Sequence, residues 1–169
     1  MNLEFIAEVG INHNGSLEIA KRYCDLAKEC GASTVKFQTF NTDDILKKDT
    51  PLAEYQIKNT SYESQNVMLK KSELNHNQFY ELKRYCEQIN INFLTTAYDF
   101  KDIKFISQDL RCKRVKLASI SIIESSILNF ALEKFDEVII STGFTDQNEL
   151  IRISNSTKEY HNKLIVMHC

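Results

Sequence analysis

A chain of 169 residues with 43% hydrophobic and 26% charged content has the length and make-up of one globular domain able to bury a core, which excludes a disordered polypeptide. A formal charge of -2 and a pI near 6.1, without a basic stripe interleaved with aromatics, leave no electrostatic footprint for nucleic acid and point to a small-molecule partner. The opening MNLEFIAEVG lacks the basic and apolar regions of a signal peptide, and no run reaches the ~20 apolar residues of a membrane span, so a cytoplasmic protein with no membrane partner is expected.

Short β-rich runs alternate with amphipathic stretches along the chain, the pattern of βα units feeding a parallel sheet. Strands are predicted at 5–11, 34–40, 92–98, 114–119, 137–142 and 164–169. Between the first two, Ser16 caps a helix whose Ile19, Tyr23, Leu26 and Cys30 recur at helical spacing, and Gly31 ends it. The interval 41–72 is long and polar and holds Pro51, the only proline; such loops are functional or disordered more often than not. A short helix is predicted within it, over 62–71. Asn75 caps the next helix, which carries Phe79, Leu82, Cys86 and Ile89 on one face. Asp99 and Thr145 are predicted to cap two more, and 126–133 forms another. The five cysteines are odd in number and show no CxxC spacing, so each reads as a small core residue rather than part of a disulfide or zinc framework.

The informative anomalies are charges inside apolar strands: Glu8 in IAEVGI, Lys36 in TVKFQTF and Lys116 in RVKLAS. Lysine and glutamate seldom sit in a parallel strand unless paired or liganded. Each lies late in its strand, toward the carboxyl end of the sheet where α/β folds bind ligands. Two ammonium groups there suit a ligand carrying phosphate and carboxylate. The bland alternatives are a lysine snorkelling to water and a Glu8–Lys36 ion pair. Gln38 shares the face of Lys36, while Thr96 (or Thr95), Ser119 and Ser141 fall at strand ends where hydroxyls can donate to phosphate or serve as turn residues. The Asn12-His13-Asn14-Gly15 loop after the first strand reads equally as a turn or as part of a site. His76 and His161 are expected in solvent, and His168, near the last strand's end, is one histidine and not a metal site.

The segments AEVGINHNG, CGASTVKFQTF, AEYQ, ESQNVMLKKSEL, VKLAS, IISTGF and MHC follow one another in an order and spacing that resemble the sialic acid synthase family, including the legionaminic and pseudaminic acid synthases. The resemblance implies a (β/α)8 barrel of TIM type, with residues 1–169 supplying five βα units and a sixth strand and the family's C-terminal antifreeze-like domain not included. It implies condensation of phosphoenolpyruvate with an N-acylmannosamine-type sugar, a divalent metal (manganese or magnesium) and a homodimer. By similarity, Lys36, Thr96, Lys116, Ser119 and Ser141 hold phosphoenolpyruvate with Gln38 nearby, and Glu8 and Asn59 contact the sugar. C3 of phosphoenolpyruvate attacks the open-chain aldehyde, which the metal polarises; water adds at C2, and the intermediate loses phosphate.

Two departures stand out. Where the family carries a glutamate two positions past the VKLAS serine, this chain has Ser121, which is no proton acceptor near neutral pH; Glu124 stands three residues further on. A proline of the family is Ala97, in TTAY. Both metal-binding histidines of the family lie beyond residue 169, so these residues alone are expected neither to hold the metal nor to turn over. Two other readings follow: a non-catalytic, barrel-derived module that keeps an anion site, and a related phosphoenolpyruvate-aldol synthase acting on a phosphorylated sugar. The latter needs a second basic cluster that the sequence does not display.

Overall fold

A computed structural model of the chain describes residues 3–47, 50–52 and 64–169. The chain divides into two compact units, Met1–Phe93 and Leu94–Cys169. Both are built of parallel strands alternating with helices, as the sequence pattern predicts.

In the first unit, β1 (Ile6–Gly10) pairs in parallel with β2 (Thr34–Gln38), setting Glu8 opposite Lys36. Helix α1 (Leu17–Glu29) connects them. The Ser16 hydroxyl accepts from the Ile19 N–H at its start, and Gly31 leaves its end at φ +84°, as predicted. Two short helices, α2 (Thr42–Ile45) and α3 (Gln65–Lys71), follow β2. Helix α3 overlaps the helix predicted at 62–71, whose first two residues lie outside the described segment. Helix α4 (His76–Gln88) opens with a reciprocal capping box between Asn75 and Gln78. The core between α1, α4 and the strands holds Ala20, Cys24, Val35, Phe37, Phe79, Leu82 and Cys86, all essentially inaccessible. Each large member contributes about 1.5–3 kcal/mol by leaving water.

Two contacts join α1 to α4 beyond this apolar seam. The sulfurs of Cys24 and Cys86 lie 3.5 Å apart as free thiols, and their mutual contact, with burial, pushes the Cys86 thiol up. The Tyr85 hydroxyl donates to Asp25 Oδ1 at 2.7 Å. Ionising that phenol would set two anions side by side, so the Asp25 carboxylate pushes Tyr85 up to about 12. A folded-state value above the unfolded one means the neutral phenol stabilises the fold fully below pH ~10, and this contribution is lost as pH rises toward 12. Titration followed by phenolate absorbance is therefore expected to show one tyrosine ionising about two units late, and Tyr85→Phe to remove it. A titration with every tyrosine ionising near 10 would contradict the Asp25 contact.

Strand β3 (Asn92–Ala97) crosses from the first unit into the second. There β4 (Arg114–Leu117), β5 (Glu137–Ser141) and β6 (Leu164–Met167) follow, with β3–β4, β4–β5 and β5–β6 paired in parallel. Asp99 caps α5 (Phe100–Lys104) through the N–H groups of Lys101 and Asp102, and that helix runs on into a π turn over Phe105–Asp109. Helix α6 (Ser125–Lys134) buries Ile127, Leu128, Ala131 and Leu132. Helix α7 (Gln147–Ser156) is capped by Asp146 and not by Thr145 as expected, because the carboxylate forms a box with Glu149 while the Thr145 hydroxyl donates to the Thr142 carbonyl. Strand β6 leaves Ile165, Val166 and Met167 exposed.

The cysteine expectation holds for Cys24 and Cys86 only. Cys112 is half-buried, whereas Cys30, at the C-cap of α1, and Cys169 are exposed. Among the described residues, no helix is long and apolar enough to cross a membrane.

Candidate active site

Both strand lysines stand at or past the middle of their strands. In the first unit, Lys36 is the third residue of five in β2, and Gln38 ends that strand on the same face. The Lys36 ammonium is ion-paired with the Glu8 carboxylate directly across the β1–β2 ladder. This is the pairing that the sequence offered as an alternative to ligand binding. It does not bury the acid: the Glu8 side chain keeps 47% of its exposure against 16% for Lys36, so the pair opens to solvent from the carboxylate side. Glu8 is thus less enclosed than its apolar sequence neighbours suggested, and β1 bulges just past it.

The bulge is tied to the turn that follows. Glu8 opposes Lys36, yet the next partner, Phe37, opposes Gly10, so Val9 is the extra residue and turns into the core. Gly10 takes φ +57°, and a side chain there would stand 3.1 Å from Glu8 Oε1 and 3.3 Å from Gln38 Nε2. The NHNG loop then winds through backbone bonds from Asn12 to Val9, Asn14 to Ile11 and Ser16 to His13. Gly15, at φ +74°, leaves no room for a Cβ, which would meet the Lys71 carbonyl at 2.3 Å. The loop forms the turn that the sequence offered as one of its two readings. His13 is buried within it, and that burial lowers its pKa.

In the second unit, Lys116 is 5% exposed and lies opposite Thr96 in the β3–β4 ladder. Its ammonium donates to Ser141 Oγ at 2.5 Å, at the end of β5, and to the Leu117 carbonyl at 2.7 Å. Lys116 and Ser141, assigned together from the sequence, are therefore in contact, with Thr96 on the neighbouring strand. Ser119 follows β4 in a half-buried turn. Sequence reasoning missed Cys169: its thiol is drawn down by hydrogen bonds from the Ser141 side chain and the Thr142 backbone. Its place in the MHC segment at the end of β6 was the available signal. Asn59 lies outside the described residues.

At the position where the resemblance implies a glutamate, the chain carries Ser121. Ser121 is buried, and its hydroxyl contacts the Tyr98 carbonyl at 3.4 Å. Glu124 is exposed and accepts from the Ser126 hydroxyl at 2.6 Å, at the start of α6. Among the described residues, no three His, Cys, Asp or Glu side chains gather as metal ligands; His76, His161 and His168 are all exposed.

The model of the NeuB family matches residues 23–169. The chain belongs to the NeuB family. The N,N'-diacetyllegionaminic acid synthase of Legionella pneumophila is 38% identical over all of this chain and 49% of its own length. In structure, the N-acetylneuraminic acid synthetase of Leptospira borgpetersenii, solved with citrate, superposes over the whole chain and 54% of its own, with a TM-score of 0.85 and 25% identity. A Thermotoga maritima DAHP synthase, at 12% identity and a TM-score of 0.65 over 96% of this chain, shares the fold alone. These likenesses bear out the barrel-type α/β class. The chain spans about half the length of the curated relatives it matches.

Proposed function

We propose that this NeuB-family chain carries the anion-binding part of a synthase that condenses phosphoenolpyruvate with an N-acylmannosamine-type sugar, forming a sialic-acid-like nonulosonate and releasing phosphate. The observation that carries the reading is Lys116, a nearly buried cation in the middle of an apolar strand with the Ser141 hydroxyl at 2.5 Å. A buried ammonium next to a hydroxyl donor is arranged for an anionic group that sheds its water on arrival.

In this reading Lys116, with Ser141, Ser119 and Thr96, takes an anionic end of phosphoenolpyruvate, and the family resemblance assigns Lys36, with Gln38, to the same ligand. Neutralising phosphate and carboxylate lets C3 approach the aldehyde carbon, and the new C–C bond leaves C2 electron-poor. Water adds there, and the C2–O bond to phosphate breaks to give the 2-keto acid. Glu8, already holding Lys36, hydrogen-bonds sugar hydroxyls or relays a proton on its solvent side, and Asn59 is assigned to the same sugar. The described residues do not fit a divalent metal, and none of these steps is routed through one. A metal held by other parts of a full-length relative, a homodimer and a cytoplasmic location belong to the same proposal by family resemblance.

Ser121 favours a second reading, a binding module without turnover, because a buried hydroxyl bonded to Tyr98 stands where the family has a carboxylate. Calorimetric titration with phosphoenolpyruvate, paired with phosphate release from N-acetylmannosamine and manganese, separates the two. The 169-residue chain is expected to bind without turnover, and a protein of full family length carrying it to release phosphate. Binding without release at full length would establish the module. Product from the chain alone would overturn the assignment of the remaining machinery to other residues.

A further inference from the structure

Two turns leave the sheet beside Lys116, and a single residue is held between them. Strand β3 ends at Ala97, and the next residue, Tyr98, is half-buried. Its N–H donates to Asp102 Oδ2 at 2.9 Å, and its carbonyl accepts from the Ser121 hydroxyl at 3.4 Å. These side chains come from different elements, Asp102 from the first turn of α5 and Ser121 from the turn that follows β4. Both are buried, at 7% and 6% exposure. Each is also fixed by its own backbone: the Asp102 N–H donates to Asp99 Oδ1 at 2.8 Å, and the Ser121 N–H donates to the Ala118 carbonyl at 3.0 Å. The second of these bonds closes a turn around Ser119. A carboxylate accepting from an N–H makes a charge-assisted bond roughly twice as strong as a neutral one, so Asp102 carries the larger share of the hold on Tyr98.

The arrangement does more than cap α5. A cap satisfies N–H groups of its own helix, whereas the Ser121 hydroxyl joins the exit of β3 to the exit of β4. Thr96, opposite Lys116 in the ladder, precedes Tyr98 by two residues, and Ser119 precedes Ser121 by two. We propose that Ser121 and Asp102 are positioning residues for the anion site: by holding the Tyr98 peptide from both sides they fix the end of β3, with Thr96, against the turn that carries Ser119. Neither touches the ligand in this scheme. The inference rests on the proposed function for its claim on phosphoenolpyruvate, while the hold on Tyr98 is read without ligand.

Amide hydrogen exchange and phosphoenolpyruvate calorimetry on the 169-residue chain test it, with Asp102→Ala, Asp102→Asn and Ser121→Ala. In the unmodified chain the Tyr98 N–H is expected to exchange slowly. Asp102→Ala should speed that exchange and weaken phosphoenolpyruvate binding, each roughly tenfold. Asp102→Asn keeps an acceptor oxygen and should restore most of both, which general loosening of the fold would not predict. Ser121→Ala deletes one oxygen and should weaken binding about threefold with the thermal midpoint nearly unchanged. Should Asp102→Ala fail to fold, Ser121→Ala decides alone, and unaltered affinity in it overturns the inference. Where both variants fold, unchanged Tyr98 exchange in Asp102→Ala, or unchanged affinity in both, overturns it and leaves the proposed function standing. A loss that Asp102→Asn does not restore overturns positioning as the role of Asp102. If the unmodified chain binds no phosphoenolpyruvate, the proposed function falls, and Tyr98 exchange alone decides the hold.

Discussion

Replacing Lys116 with methionine is expected to weaken phosphoenolpyruvate binding by on the order of 10–10²-fold, the scale of losing a hydrogen bond made by a charged group. The argument rests on burial. Lys116 is 5% exposed, and its ammonium is satisfied by Ser141 Oγ and the Leu117 carbonyl, so the cost of desolvating the charge is already carried by the folded chain. Methionine matches the aliphatic stem but removes the charge together with its two hydrogen bonds. The relieved desolvation offsets part of that loss. Calorimetry should therefore report lost affinity with only a small change in the thermal midpoint. Affinity within twofold of the original would refute the role of Lys116 in the anion site. Lys116→Arg should not rescue, since a planar fork does not fit where a compact ammonium meets Ser141.

The second large effect concerns stability. Phe37→Ala should cost about 3–5 kcal/mol in urea denaturation, the range for emptying a fully buried aromatic position. Phe37 is inaccessible and stacks on Phe93, centroids 5.9 Å apart, while His13 lies on its other flank. Set against a typical domain stability of ~5–15 kcal/mol, that loss leaves part of the population unfolded. Phe37 also separates Lys36 from Gln38 along β2, so the cavity lies directly behind the face that carries them. A loss below about 1 kcal/mol would show that neighbouring groups collapse into the space.

Most of the fold was legible because its signals are local. Apolar runs marked the strands to within a few residues, and Ser16, Asn75 and Asp99 cap the helices they were expected to cap, since a cap needs only its own first turn. Thr145 was misjudged against Asp146 because the two differ by a box with Glu149, which adjacency alone does not weigh. That Lys116 and Ser141 belong to one end of the sheet was legible from polar residues standing late in parallel strands, whereas their direct contact was not. The Glu8–Lys36 pair could only be offered as one of two outcomes, because partnership across a ladder depends on register, and register is a property of two strands. For the same reason the bulge at Val9 was invisible. Ser121 could be flagged by position, but its bond to Tyr98 joins two segments that a motif does not relate.

Helices α2 and α3 are fastened to each other on both sides of residues 48–63. Lys70 grips Asp43 at 2.6 Å, Glu73 accepts from the Thr42 N–H at 2.6 Å, and the end of α3 rests on Gly15. The stretch between them thus starts and finishes on posts held by other parts of the first unit. A change in the length of that interval is therefore expected to leave β2 and Lys36 undisturbed, because the anchoring bonds lie outside it.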